Sequence, residues 1–164
     1  MPRHRVSGSA VTTADASTVY RILRDRPAWP SWSALGRYEP VSGTEGELDS
    51  VCAFVTRGIR SVERLVELVP DRRVSYVLVE GMPMRDYRAV IDLDPEPSGG
   101  TRITWTSTFD HTIPGTGWWF RRLMGGFIPR MARDLAAHAA HAAHAAHAAH
   151  AAQVAQVASP AADR

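Results

Sequence analysis

Thr101-Arg102-Ile103-Thr104-Trp105-Thr106-Ser107-Thr108-Phe109, followed after Pro114-Gly115-Thr116-Gly117 by Phe120, Met124, Phe127, Met131 and Leu135, decides the reading of this chain. The first part alternates: Ile103, Trp105, Ser107 and Phe109 on one face, Thr104, Thr106 and Thr108 on the other. That is the period of a β-strand with one covered and one wet face. The second part repeats apolar residues at helical spacing, with Arg121, Arg122, Arg130 and Arg133 on its other face. A one-sided strand leading into a one-sided helix implies that the helix covers the sheet. Pro129 lacks the amide proton that would bond the Gly125 carbonyl, so a kink or restart is expected there.

Upstream, period two continues in runs bounded by Gly, Pro, Asp and Ser, and strands are expected at 37–42, 50–57, 61–69, 73–80, 84–93 and 101–109. The links are mostly short, so neighbours are antiparallel. Before them come a first strand at 5–13 and a short amphipathic helix opened by Asp15, with Ala16, Val19, Ile22 and Leu23 on one face. Pro27, Trp29, Pro30 and Trp32 then allow only a helical turn or two, whose indoles cap the core.

The chain has 164 residues, 45% hydrophobic and 22% charged, which suits one domain. No long apolar span and no signal-like N-terminus are present, so integral membrane association is not expected and a cytoplasmic location is. Cys52 stands alone, which excludes an internal disulfide or a multi-thiolate metal site, and a buried role is expected for it. The 19 basic residues are all Arg and face 17 acidic ones, so nothing calls for a nucleic-acid partner.

From Ala136 to Ala152 the triplet Ala-Ala-His recurs, placing His138, His141, His144, His147 and His150 three apart. Ala continues a helix, and Ser159-Pro160 is expected to stop it. A spacing of three turns each imidazole about 60° back around the axis, so the histidines spiral and no helical zinc spacing arises. A structural metal site is not expected, although metal buffering by this tract is a separate functional hypothesis. The expected division is a domain over 1–137 and, over 138–164, a helical extension with a disordered C-terminus. Truncation after Ala137 should then leave folding and binding intact.

The order of elements resembles the helix-grip superfamily (SRPBCC) of START lipid-transfer domains, the major birch pollen allergen and bacterial polyketide cyclase/dehydrase proteins. The phrases that carry the resemblance are Trp29-Pro30-Ser31-Trp32, Glu63-Arg64-Leu65-Val66-Glu67-Leu68-Val69-Pro70, Gly81-Met82-Pro83-Met84-Arg85-Asp86-Tyr87-Arg88 and Gly100-Thr101-Arg102-Ile103-Thr104-Trp105, and it spans about residues 5 to 137. It implies an α+β fold: a seven-stranded curved antiparallel sheet wrapped around a long C-terminal helix, with two short helices between strands 1 and 2. It also implies an apolar cavity between sheet and helix that takes a hydrophobic small molecule.

Candidate lining residues are Trp32, Tyr76, Tyr87, Ile91, Trp105, Phe109, Phe120, Met124 and Phe127. Arg64 alternates with Val62, Val66 and Leu68 and points inward if they do; with the strand turned over, Glu63 and Glu67 are inside instead. Asp86, between Arg85 and Arg88, suggests an ion pair at the cavity mouth, and His111 falls in a loop after the last strand.

The leading hypothesis is binding, sequestration or transport of a lipid or polyketide-like metabolite, with no cofactor, by a monomer or homodimer. The alternative is a polyketide aromatase/cyclase or dehydratase in which Arg64, Tyr76 and Tyr87 orient and polarise the ligand. No Ser-His-Asp ordering, phosphate loop or HExxH motif is present, which removes nucleotide and zinc-hydrolase readings.

Overall fold

The Asp15 side chain accepts the Thr18 amide at 2.7 Å and so starts α1 (Ala16–Arg24) directly after β1 (His4–Thr12). In the computed structural model, which describes residues 3–158, α1 buries Val19, Tyr20 and Leu23 and ends at Asp25. A 3-10 turn (Arg26–Ala28) runs into α2 (Trp29–Trp32), as the two prolines require. Trp29 is fully buried rather than a cap: its indole N–H donates to the Leu23 carbonyl at 3.2 Å, and its ring meets Trp105 edge-on at 5.6 Å.

Six further strands follow, β2 (Arg37–Ser42), β3 (Val51–Thr56), β4 (Ile59–Val69), β5 (Arg73–Glu80), β6 (Met84–Pro95) and β7 (Thr101–His111). With β1 they form one curved antiparallel sheet in the order β1-β7-β6-β5-β4-β3-β2. β7 follows its sequence pattern, since Ile103, Trp105, Ser107 and Phe109 are fully buried and the threonines between them are half-buried. Arginines populate the opposite face of the sheet, where Arg73 meets Asp92 at 2.7 Å and Arg88 meets Glu67 at 2.7 Å. Such pairs contribute little to stability individually.

The long helix α3 (Gly117–Ala158) lies in the grip of the sheet. The restart expected as one possibility at Pro129 does not occur, as α3 runs on across the proline. The proline sits where the helix crosses β1, and a Cβ on Gly8 would come within 2.3 Å of Pro129 Cα. A residue without a side chain on the strand therefore lets the helix backbone approach closely.

Packing does not stop at 137. Ala139 is fully buried, Ala143 packs against the core, and His138 stacks on Trp32 with ring centroids 6.1 Å apart. The first turns of the Ala/His tract are thus part of the folded body. The expected stop at Ser159-Pro160 and the C-terminal residues after it lie outside the described residues. No described helix is long and apolar enough to cross a membrane.

Candidate functional site

Sheet and helix do not meet evenly. On the β1, β7 and β6 side, Ile91, Trp105, Phe109, Ile128 and Leu135 are fully buried. On the β3 to β6 side the first part of α3 stands off the sheet, leaving a cavity of about 330 Å³. That volume lies at the low end of the range of small-molecule sites. Ser61 and Glu63 from β4, Tyr76 and Leu78 from β5, and Met84 and Tyr87 from β6 form its floor. Met124, Phe127 and Met131 form its roof, while Trp119, Leu123 and Ile59 reach the surface at its rim. Leu35 and Met82 close the sides from loops, and Thr56 and Arg57 end the wall at the tip of β3.

Of the residues singled out in the sequence, Tyr76, Tyr87, Met124 and Phe127 line this space. Trp32, Ile91, Trp105, Phe109 and Phe120 do not: Ile91, Trp105 and Phe109 have no exposure, Phe120 is buried and Trp32 lies against His138. Leu35, Ile59, Met82, Trp119 and Leu123 were not anticipated. The Trp118-Trp119 pair at the start of the helix, both exposed in the structure, is a feature that could have marked this rim.

Arg64 lies outside the site, exposed to solvent and lining no part of the cavity. The inward position belongs to Glu63, and neither whole-strand reading holds. β4 changes register against β5 between Val62 and Glu63 and again between Leu65 and Glu67. The first shift has its extra residue, Val79, in β5, so β4 alternates through Ser61, Glu63 and Leu65 on the cavity side; the second has its extra residue, Val66, in β4, and beyond it Glu67 pairs with Arg73 and Arg88. Leu68 packs on the core again. A β-bulge inserts one residue and exchanges the faces beyond it, which strict alternation cannot anticipate.

Glu63 is balanced by Arg26, a residue that nothing in the sequence had singled out. Arg26 Nη2 donates to Glu63 Oε2, and both residues are buried, at 2% and 8% exposure. The guanidinium carbon lies 4.0 Å from the centroid of Trp29, 4.8 Å from that of Tyr76 and 5.2 Å from that of Phe54. These ring faces stabilise a cation whose Nε and Nη1 have no hydrogen-bond partner among the described residues. Burial is the largest influence and opposes the charge on Arg26, but Glu63, Cys52 and Tyr76 together outweigh it and hold the guanidinium above its ordinary value. Burial likewise pushes the Glu63 carboxyl up, opposed by the charge and hydrogen bond of Arg26. Arg26 also touches Cys52, which is buried, its Sγ 3.6 Å from Nη2.

The two floor tyrosines are held neutral. Burial pushes the Tyr87 phenol up to about 12 against the hydrogen bond from Ser107, whose Oγ lies 3.0 Å away. Burial raises Tyr76 well above its ordinary value, and Tyr87 beside it adds to the shift. Asp86 forms no ion pair among the described residues. It sits at a register shift in β6 with φ +50, while its neighbour Arg88 is engaged by Glu67 and Ser75. His111 ends β7 rather than lying in a loop, 3.2 Å from His4. The resulting site is an apolar chamber with a buried polar end, where Glu63, Tyr76 and Tyr87 meet, and Thr56 and Arg57 at its exposed end.

Residues 3–145 match the family described as polyketide cyclase/dehydrase and lipid transport. Among solved structures, the chain is similar to a START superfamily protein from Mycobacterium smegmatis, with TM-score 0.72 and 16% identity over 83% of this chain and 97% of that one. It is also similar to a protein from Thermus thermophilus, with TM-score 0.69 and 23% identity over 85% and 99% of the two chains. Ginseng major latex-like protein 151 from Panax ginseng gives TM-score 0.70 and 16% identity over 83% and 97%. At these identities the structural likeness establishes the fold alone. Among curated proteins none matches the chain in sequence.

Proposed function

The chain belongs to the polyketide cyclase/dehydrase and lipid transport family, and from that premise we propose that it binds a hydrophobic small molecule, a lipid or polyketide-like metabolite, in the cavity beneath the first part of α3. The observation that carries this reading is the 330 Å³ space itself, walled by Leu78, Met84, Met124, Phe127 and Met131 and reaching the surface between Ile59, Trp119 and Leu123. A void of this size lined by apolar groups forgoes packing, and a guest restores it. Sequestration or transport follows if the guest enters and leaves past the exposed rim.

The arrangement supports binding more than the cyclase alternative. Arg64, the cation assigned to polarise a substrate, is on the solvent side, and Arg26 is screened by three aromatic rings. The tyrosines remain hydrogen-bonding groups with raised pKa, suited to orienting a ligand at neutral pH. Titration with the neutral fluorophore N-phenyl-1-naphthylamine tests the reading. Saturable binding with one site per chain is expected; no fluorescence enhancement up to the solubility limit of the probe would overturn it.

A further inference from the structure

Glu63 is the one acid in the wall of the cavity, and it faces two spaces. It lines the 330 Å³ chamber and also a small pocket of about 20 Å³ on the other side, which Arg26 lines as well. Arg26 does not line the chamber. The ion pair is therefore polarised across the wall, with its cation behind and its anion in front. Arg26 occupies Oε2, and Oε1 accepts no hydrogen bond among the described residues. Nearby, the Tyr87 hydroxyl already shares a hydrogen bond with Ser107.

We infer that the polar end of the chamber selects neutral ligands carrying a hydroxyl or phenol, which donates to the outward oxygen of Glu63, and rejects ligands whose polar group is a carboxylate. This rests on the cavity reading and adds the ligand class to it. An acceptor held by a buried partner gives a donor-bearing guest a charge-assisted hydrogen bond, among the stronger ones available in a low-dielectric site. A guest carboxylate at this end brings a second anion up to Glu63 with the Arg26 guanidinium out of reach behind it and Arg57, the cation that lines the chamber, away at the exposed β3–β4 turn, so both repulsion and desolvation oppose it. An ether of the same shape loses the donor and leaves the acceptor unmatched, the situation in which polar discrimination is largest.

Displacement of N-phenyl-1-naphthylamine by three matched probes, 2-naphthol, 2-methoxynaphthalene and naphthalene-2-carboxylate, reads this at neutral pH. The naphthol should displace the reporter at about a tenfold lower concentration than the ether, and the carboxylate should be the weakest of the three. In the paired variant Arg26→Met/Glu63→Leu, the advantage of naphthol over ether should disappear, each read against that variant's own affinity for the reporter. Equal displacement by naphthol and ether on the unaltered protein, or a carboxylate that competes as well as the naphthol, overturns the inference and leaves the cavity reading standing. A naphthol preference that survives in the paired variant also overturns it, since the donor would then be read by another group. Absence of reporter binding removes the cavity reading, and this inference with it.

Discussion

Arg26 and Glu63, 37 residues apart, join the turn after α1 to the middle of β4 through a hydrogen-bonded ion pair beneath the cavity floor. Both side chains are buried, so neither charge is well solvated on its own. Removing one strands a buried charge; removing both leaves an apolar contact among Trp29, Phe54 and Tyr76. Arg26→Met or Glu63→Leu should each destabilise the fold by about 3–5 kcal/mol, and the two together should recover most of that loss. Urea unfolding midpoints of the four proteins close the double-mutant cycle. Additive losses would mean that the two side chains do not depend on each other.

Filling the chamber separates its role from that of the core. Leu78 is half-buried on β5 and borders open space, so Leu78→Trp adds volume where there is room. Its unfolding free energy should move by less than about 1.5 kcal/mol, while affinity for N-phenyl-1-naphthylamine falls at least tenfold. Unchanged affinity in the folded variant would place the probe elsewhere on the protein.

How far the sequence disclosed the site depended on regularity. β7, and β6 beyond its shift at Asp86, keep strict alternation, as with Tyr87, Ala89, Ile91 and Leu93 buried along β6, and their faces were legible residue by residue. β4 has an extra residue between Leu65 and Glu67, so alternation counted back from Leu68 assigned Arg64 to the interior when Glu63 occupies it. The candidate lining set mixed two kinds of inward residue. A stripe of apolar positions shows which side faces inward, yet whether that side meets packing or space depends on how closely the helix lies, and this differs between β1 and β5. Tyr76 and Phe109 are both inward, but only Tyr76 borders the cavity. Arg26 carried no signal at all, because an arginine beside Pro27 in a short turn looks like any solvated residue until Glu63 is brought against it.

The tyrosines supply a pH dependence whose sign is fixed by burial. Tyr20, Tyr38, Tyr76 and Tyr87 all have folded pKa values above 10, with Tyr38 and Tyr87 pushed up to about 12. Below pH 10 both folded and unfolded chains hold these protons, and the contribution is fully present. Between pH 10 and 12 the unfolded chain releases protons that the folded one retains, so stability falls as pH rises. Absorbance of phenolate near 295 nm should lag the titration of free tyrosine and then jump with the loss of near-ultraviolet circular dichroism. A smooth titration centred at pH 10 with the fold intact would contradict the raised pKa values of these four phenols.

Where the folded body ends is decided by His138, Ala139 and Ala143 rather than by the onset of the repeat. A chain ending at Ala145 keeps the Trp32–His138 stack and the buried Ala139; one ending at Ala137 loses both. The longer truncation product should match the full chain in urea midpoint, and the shorter should be less stable by about 1–2 kcal/mol. Identical midpoints for all three would return the boundary to 137 and show the stack to be incidental.

The approach of α3 to β1 depends on a missing side chain. A methyl group on Gly8 meets Pro129 backbone atoms at 2.3 and 2.8 Å, and backbone cannot step aside as the end of a flexible side chain can. Gly8→Ala should therefore destabilise by about 1–3 kcal/mol, as overpacking of a close contact does. The shift it forces has a direction. Lifting the helix off β1 at Pro129 also moves Phe127 and Met131, one on either side and both in the cavity roof, away from the floor. Affinity for the naphthylamine probe should change in the same variant although Gly8 does not line the chamber. By contrast, Gly125→Ala, whose added carbon meets nothing within 4 Å, should leave both stability and binding close to unaltered or slightly improve the helix. If Gly8→Ala binds and unfolds like the parent, the close crossing is not what sets the height of the helix above the sheet.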